Sequence, residues 1–229
     1  MDFVKGRFIR RYKRFLVDVE LEDGSVVTAH CTNTGSLRSC LVENAPVLLS
    51  PVDNPKRKTR FTWEMIKING SWVGINTSRA NEIAYKVLKD RSLPQFRGVK
   101  TIRREVKFAD SRFDIYCRSE EGEIFIEVKN VTYKKGDYAL FPDAPTRRGQ
   151  KHITDLLKAR EAGYRVALFF IIQRTDVKRF APAWEIDPLY SEMLINAVKQ
   201  GLEVYPLQIE VSPQGERFVG MLPFDMEEN

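Results

Sequence analysis

The sequence has little of what would commit it to a membrane, a disulfide framework or a zinc ribbon. It has no apolar run of about 18 residues, and its first five residues, MDFVK, lack the apolar core of a signal peptide. Its three cysteines are an odd number and none are spaced CxxC, so we expect buried thiols. We therefore expect a soluble, cytoplasmic protein without a membrane partner.

Positive charge is abundant and unevenly placed. The 37 Lys and Arg residues outnumber 31 Asp and Glu, which gives a net charge of +6. Two basic runs, residues 5–14 and 56–60, are interleaved with aromatic residues, as in surfaces that bind a nucleic-acid backbone. The alternative is a solvated strand face. The predicted contacts, with DNA as the partner and RNA as the alternative, are Lys5, Arg7, Arg10, Arg11, Lys13, Arg14, Lys56, Arg57, Lys58 and Arg60.

Short strand-like runs fill the first 76 residues. They cover residues 7–22, 26–31, 46–52, 62–68 and 71–76 and are separated by turn residues such as Asn69-Gly70. Five short strands that close on themselves form a small barrel of the oligonucleotide-binding (OB) type. We predict an OB-like domain over residues 1–76, although a small sandwich would produce the same pattern.

The pattern changes to α/β at residue 77. Apolar spacing predicts a helix over 79–91 capped by Thr77 or Ser78, strands over 101–108, 112–118 and 124–131, and a second helix over 149–162. The apolar run 165–172 reads as a strand buried on both faces. We predict one α/β domain over residues 77–229, in the order helix, three strands, helix, strand.

Three charged residues lie on the second and third of these strands. A hairpin loop at Glu120-Glu121 would place Asp114 opposite Glu127, and a loop at Glu121-Gly122 would place it opposite Lys129. In an antiparallel pair the numbers of any two facing residues have the same sum, and this sum is odd for both loops. An even-numbered residue therefore always faces an odd-numbered one, so all three side chains share one sheet face in either register. Phe113, Ile115, Ile126 and Val128 would then point to the opposite face, under a helix.

Two neighbouring carboxylates repel, and a divalent cation relieves that repulsion. Mg²⁺ or Mn²⁺ held by Asp114 and Glu127, with Lys129 beside it, suits the hydrolysis of phosphate esters. The alternative is a surface hairpin with a cross-strand Asp–Lys pair. Glu105 is a further candidate, because a two-residue turn at Asp110-Ser111 would put it on the face of Asp114.

Basic residues also open the second helix. Arg147, Arg148 and Lys151 lie where positive charge opposes the helix dipole, so we predict a phosphate as their counter-charge. The alternative is a solvated helix start.

Motifs spread from residue 30 to residue 152 resemble those of one family. They are HCTNTGS at 30–36, KRK at 56–58, TWE at 62–64, SRFD at 111–114, IEVK at 126–129, FPDA at 141–144 and RGQKH at 148–152. The chain resembles the sugar fermentation stimulation protein A family, and its second half is similar to PD-(D/E)xK nucleases. This resemblance implies an N-terminal OB-like barrel, a nuclease-like αβββαβ domain and DNA binding without strong sequence preference. Thr32 departs from the proline of many members, which affects only the local turn.

The same resemblance assigns roles to individual residues. It implies that Asp114, Glu127 and the Val128 carbonyl bind the metal and that Lys129 is the catalytic lysine. It also implies that Gln150 faces the site, and Glu82 is the available acid on the first helix. His152 is about 200° around the helix from Gln150, so we predict a surface histidine.

These observations favour a metal-dependent DNA phosphodiesterase. The alternative is a non-catalytic DNA-binding regulator on a nuclease scaffold, which the resemblance favours because that family is chiefly known for DNA binding. A fold alone does not establish an activity. We see no helix-turn-helix or zinc finger, so we expect contact mainly with the phosphate backbone. The sequence leaves the oligomeric state open.

Overall fold

A computed structural model describes residues 3–227, and its first part is a closed β-barrel. Its strands are β1 (Val4–Tyr12), β2 (Leu16–Leu21), β3 (Val26–His30), β4 (Pro46–Pro51), β5 (Phe61–Ile68) and β6 (Ser71–Gly74). The sheet order is β3-β2-β1-β4-β5-β6, and pairing of β3 with β5 closes five strands into the barrel. The prediction of an OB-like barrel is confirmed.

The predicted first strand, residues 7–22, is two strands. Lys13 and Arg14 adopt positive φ angles of 50° and 65°, and this tight turn lets β2 fold back on β1. Neither residue is the Gly, Asn or Asp that usually marks such a turn, so the sequence carried no signal for it.

The second part is a mixed α/β domain, which confirms the predicted fold class. The predicted helix, three strands, helix and strand occur in that order, but two short strands are inserted before the second helix. Its elements are α1 (Thr77–Lys89), β7 (Thr101–Phe108), β8 (Ser111–Ser119), β9 (Gly122–Val131), β10 (Tyr133–Lys135), β11 (Tyr138–Phe141), α2 (Arg147–Glu161), β12 (Arg165–Ile172), β13 (Arg179–Pro182), α3 (Pro188–Lys199), β14 (Glu203–Ser212) and β15 (Gly215–Met221). The large sheet has the order β15-β14-β12-β9-β8-β7, and β10, β11 and β13 form a small sheet. The hairpin strands β10 and β11 of the small sheet lie between β9 and α2, where the sequence predicted neither a strand nor a helix. They are three and four residues long, and β11 finds its partner β13 about 40 residues later in the chain.

The helices begin at polar caps and cover opposite faces of the large sheet. Asn76, Thr146 and Asp187 each accept a hydrogen bond from a backbone N–H of the first turn. The cap of the first helix is therefore Asn76 and not the predicted Thr77 or Ser78, and this helix starts at Thr77 instead of residue 79. The second helix starts at Arg147 instead of residue 149. The buried face of α1 packs on one core, and α2 and α3 pack on the other. No helix within residues 3–227 is long and apolar enough to cross a membrane.

A buried arginine joins the barrel to the α/β domain. The Arg174 side chain is fully buried and donates to both carboxylate oxygens of Asp176, at 2.7 and 2.8 Å. It also donates to the Thr132 carbonyl oxygen at 2.6 Å, and Ser39, in the barrel part of the chain, donates to the same oxygen at 3.1 Å. Arg174 therefore neutralises a poorly hydrated carboxylate and holds the barrel against the domain.

Replacement of this arginine should destabilise the whole chain. Arg174→Met removes one partner of a buried ion pair, and we expect the free energy of unfolding to fall by about 3 kcal/mol or more. Urea denaturation measures it. Lys178→Met removes an exposed ion pair with Asp137 and should cause no measurable change. Equal effects of the two substitutions would contradict this role of Arg174.

Candidate functional site

Two ladders of the large sheet are interrupted at the same place. The β7–β8 pairing skips Glu105 and Asp114, which lie opposite each other, and Glu105 has a φ of +58°. The β8–β9 pairing runs from the hairpin loop only as far as Ile115 and Ile126. The sheet is therefore split between β8 and β9 where Asp114 projects, an arrangement that re-aims a side chain.

The hairpin register agrees with one of the two predicted alternatives. Ser119 pairs with Gly122, so the loop is Glu120-Glu121 and Asp114 is level with Glu127. The predicted faces are only partly correct. Ile115 packs in the core under α1, as expected, but Phe113 packs in the core under α2, because the strand loses its alternation at Asp114.

The Asp114 side chain lies in the split and accepts a hydrogen bond that a neighbouring strand would otherwise accept. One carboxylate oxygen accepts from the Asn81 side chain of α1 at 2.8 Å, and the other accepts from the Val128 N–H at 2.8 Å. In an extended strand the N–H and C=O of one residue point to the same side. The Val128 carbonyl therefore faces Asp114 too. Asn81 had not been identified from the sequence, in which a single asparagine on a helix carries no signal.

Glu127 lies on the α2 side of the split, with a lysine and a histidine. Its side chain is 4% exposed, and one carboxylate oxygen accepts from the Lys129 ammonium at 2.6 Å. The same oxygen contacts His152 Nδ1, which is 2.9 Å from the Lys129 nitrogen. These three side chains form a compact polar cluster in which the negative charge of Glu127 is directly balanced.

The structure places His152, and not Gln150, beside the carboxylate pair. Gly149, Ile153 and Leu156 form the buried face of α2, and His152 lies beside it, so the predicted surface histidine is wrong. Gln150 is on the other side of the helix and donates to both carboxylate oxygens of Asp187 at 3.2 Å. It does not line the cleft, because it packs against the cap of α3.

The side chains of the two other acid candidates are exposed and bind arginines outside the cleft. Glu105 is 49% exposed and pairs with Arg112 at 2.8 Å. Glu82 is 51% exposed and pairs with Arg79 at 3.3 Å. Neither lines the cleft that contains Asp114. The left-handed backbone of Glu105 explains the first result, since it breaks the alternation on which that prediction depended.

The two carboxylates have pKa values that are moved in opposite directions. Burial, and then the charge of Glu127, raise the pKa of Asp114. Burial alone would raise the pKa of Glu127, but Lys129 and His152 outweigh it and lower this pKa. The Glu127 carboxyl group therefore ionises more readily than that of Asp114, whose ionised form is disfavoured by burial and by the neighbouring negative charge.

A cleft of about 540 Å³ surrounds this pair and draws its walls from both parts of the chain. The lining residues are Arg14, Thr32, Asn33, Thr34 and Gly35 of the barrel, Thr77, Ala80 and Asn81 of α1, Asp114, Glu127, Val128, Lys129, Asn130, the segment 141–146, Arg148 and His152. The site is thus completed by the barrel and does not belong to the α/β domain alone.

An arginine holds the barrel loop that forms one wall. Arg11 donates to the carbonyl oxygens of Asn33, Gly35 and Ser36, and Asp143 on the opposite segment accepts from the Leu37 N–H at 3.1 Å. An added Cβ at Gly35 would collide with the Asp143 carboxylate. Arg11 was predicted to contact DNA, but its donors are committed to this loop.

The other predicted basic residues fall into two groups. Those with an intramolecular partner are Arg7 with the Asn44 carbonyl, Arg10 with Asp18, Arg14 with the Thr34 carbonyl, Arg57 with Thr59 and Thr62, Arg148 with His152, and Lys151 with Ser111 and Asp155. Those whose side chains make no hydrogen bond or ion pair within residues 3–227 are Lys5, Lys13, Lys56, Lys58, Arg60 and Arg147. Only Arg14 and Arg148 line the cleft.

The donor set at the split suits a hard divalent cation. Asp114 and Glu127 contribute carboxylate oxygens, and the Val128 carbonyl faces the same space. In the described part of the chain no three His, Cys, Asp or Glu side chains are grouped to hold a metal. A cation here would therefore have two carboxylate ligands and complete its shell with water, as Mg²⁺ usually does. The raised pKa of Asp114 reflects a charge imbalance that such a cation would remove.

Both parts of the chain match the descriptions of one protein family. Residues 9–75 match the SfsA N-terminal OB domain, and residues 78–215 match the sugar fermentation stimulation protein RE domain. The sugar fermentation stimulation protein homolog of Gloeobacter violaceus is 44% identical over 219 residues, which is 95% of this chain and 93% of that protein. The homolog of Geotalea uraniireducens is 42% identical and covers 95% of each chain.

A solved structure has the same fold. It is described as Pyrococcus furiosus SfsA in complex with Ca²⁺ and is 30% identical to this chain. The TM-score is 0.90, and the match covers 98% of this chain and 96% of that one.

Removal of His152 should change the ionisation of Glu127. In His152→Ala we expect the pKa of Glu127 to rise, because a hydrogen bond and a favourable charge are lost. A carboxyl group with a lowered pKa contributes stability that is lost as the pH falls through that pKa, so the variant should lose less stability on acidification. Carboxyl-detected NMR titration and acid unfolding measure the two effects. His30→Ala, at the other histidine, should change neither, and an unchanged Glu127 pKa in His152→Ala would contradict the assignment.

Proposed function

The chain belongs to the sugar fermentation stimulation protein family, and from its cleft we propose a DNA-binding protein whose Asp114 and Glu127 hold Mg²⁺ or Mn²⁺ to hydrolyse phosphodiesters. The observation that carries the proposal is the split between β8 and β9, which brings two carboxylates, a main-chain carbonyl and a lysine into one cleft. The Ca²⁺ complex of the Pyrococcus furiosus relative supports a divalent cation in this fold.

The chain's own residues would orient the ligands. Asn81 and the Val128 N–H fix both oxygens of Asp114, so this carboxylate has a defined direction before any ligand arrives. Lys129 and His152 hold one oxygen of Glu127 and leave the other for a ligand. A bound cation would polarise the phosphate ester and activate water.

Lys129 has a second task in the proposed reaction. The Lys129 side chain is 12% exposed, and its ammonium group lies beside Glu127 in the cleft wall. A positive charge fixed at this position would stabilise the negative charge that develops on phosphorus oxygens. In the alternative function, a non-catalytic DNA-binding regulator, Lys129 would only balance the charge of Glu127.

DNA contact in this proposal is electrostatic. Arg14 and Arg148 line the cleft, and the six basic side chains without an intramolecular partner add charge outside it. Such contacts read the phosphate backbone and not the bases, so affinity should fall steeply as salt rises.

Replacement of Asp114 tests the proposal. Wild type should cleave labelled single- or double-stranded DNA only with Mg²⁺ or Mn²⁺. Asp114→Ala should reduce cleavage at least about a hundredfold, because the charge at the reacting phosphate is no longer stabilised. Its DNA affinity in mobility-shift assays without metal should remain within about twofold, since backbone contacts dominate binding.

Asp110→Ala is the matched control, because this exposed acid lies on the same hairpin but outside the cleft. It should cleave like wild type. A mobility shift of DNA without cleavage, in wild type and in both variants, would support the non-catalytic regulator instead. Absence of both binding and cleavage would overturn the proposal.

A further inference from the structure

Three basic residues that were not among the predicted DNA contacts lie at one edge of the large sheet. Arg104 and Lys107 lie on β7 and Arg112 lies on β8, and all three side chains are exposed. We call these three residues the β7 stripe. Strand β7 is at the sheet edge, so no further protein strand covers it within the described residues.

The break at Glu105 puts the β7 stripe on one side of the sheet. Ile102 packs in the core under α1, whereas Val106 and Phe108 pack in the core under α2. The alternation therefore changes phase at Glu105, and Arg104 and Lys107 both face the α1 side although they are three residues apart. Arg104 confirms this direction, because its guanidinium carbon is 5.9 Å from the ring centre of Tyr85 on α1.

The β7 stripe is continuous with the cleft. Asn81, which binds Asp114, is one helical turn before Tyr85 on α1. Arg112 is two residues before Asp114 on β8. Asn81 and Tyr85, neighbours on one side of α1, thus connect the carboxylate pair at Asp114 with Arg104 at the sheet edge.

The charges of the β7 stripe are poorly balanced by the protein. Lys107 pairs directly with Arg112 across the two strands, and like charges in this position repel. Glu105 pairs with Arg112, but Arg104 and Lys107 have no acidic partner within residues 3–227. An anionic ligand along the edge would relieve this repulsion.

We propose that the β7 stripe binds the phosphate backbone of the DNA strand whose scissile phosphate lies at Asp114. Arg104 and Lys107 are about 10 Å apart along an extended strand, so they would contact different phosphates. The proposal rests on the proposed function and specifies the path of the substrate, which would cross the β7 edge as well as the barrel.

The test compares two double variants that lose the same charge. Arg104→Ala with Lys107→Ala should weaken binding of a fluorescent 20-nucleotide DNA, single-stranded and duplex, by about tenfold. The slope of the logarithm of affinity against the logarithm of salt concentration should fall by the amount expected for about two phosphate contacts. Lys178→Ala with Arg217→Ala also removes two exposed cations, and Arg217 lies on β15 at the opposite edge of the sheet. This control should bind within about twofold of wild type. Arg104→Lys with Lys107→Arg should keep the wild-type salt dependence.

Calorimetric Ca²⁺ binding and thermal unfolding establish that the variants are intact. Ca²⁺ affinity and unfolding temperature should both match wild type in the Arg104→Ala, Lys107→Ala variant, because neither side chain lines the cleft that contains the carboxylate pair. Equal loss of DNA affinity in both double variants, or none in the β7 variant, would overturn the β7 stripe as a DNA surface while wild-type binding still supports the proposed function. Absence of DNA binding by wild type would overturn both.

Discussion

The cleft depends on a paired interruption of the large sheet at Glu105 and Asp114. The left-handed backbone at Glu105 and the end of the β8–β9 ladder beside Asp114 open a split that a regular sheet would close with hydrogen bonds. The Asp114 carboxylate then accepts the N–H of Val128 in place of a strand carbonyl. A non-glycine residue with positive φ costs free energy, and such strain is often found beside functional sites. The same interruption also turns Lys107 towards α1.

The electrostatics of the site follow from this geometry. Two carboxylates share a poorly hydrated space, and the protein balances them unequally, because Lys129 and His152 both contact Glu127 whereas Asp114 receives only neutral donors. Burial and then the charge of Glu127 raise the pKa of Asp114, whereas Lys129 and His152 lower the pKa of Glu127 despite its burial. The remaining negative charge is what a divalent cation would neutralise, and the barrel loop held by Arg11 forms one wall of the cleft around it.

Much of the fold could be predicted from periodicity, and the site only in part. Strand alternation and turn residues were enough to limit the hairpin to two registers, one of which sets Asp114 level with Glu127, as observed. Nothing in the residue types indicates the positive φ of Glu105, so the faces of Phe113 and Glu105 were predicted wrongly. The choice between Gln150 and His152 required knowledge of which side of α2 is buried. The role of Arg11 depends on carbonyl groups more than 20 residues away, which local pattern does not reveal.

The most direct test of the central claim is the location of a metal. A crystal of the protein soaked in Mn²⁺, with diffraction collected at the manganese absorption edge, reveals the ion by its anomalous signal. The account predicts a peak between the carboxylates of Asp114 and Glu127, near the Val128 carbonyl. A fully occupied peak elsewhere, with none between these two residues, would contradict it.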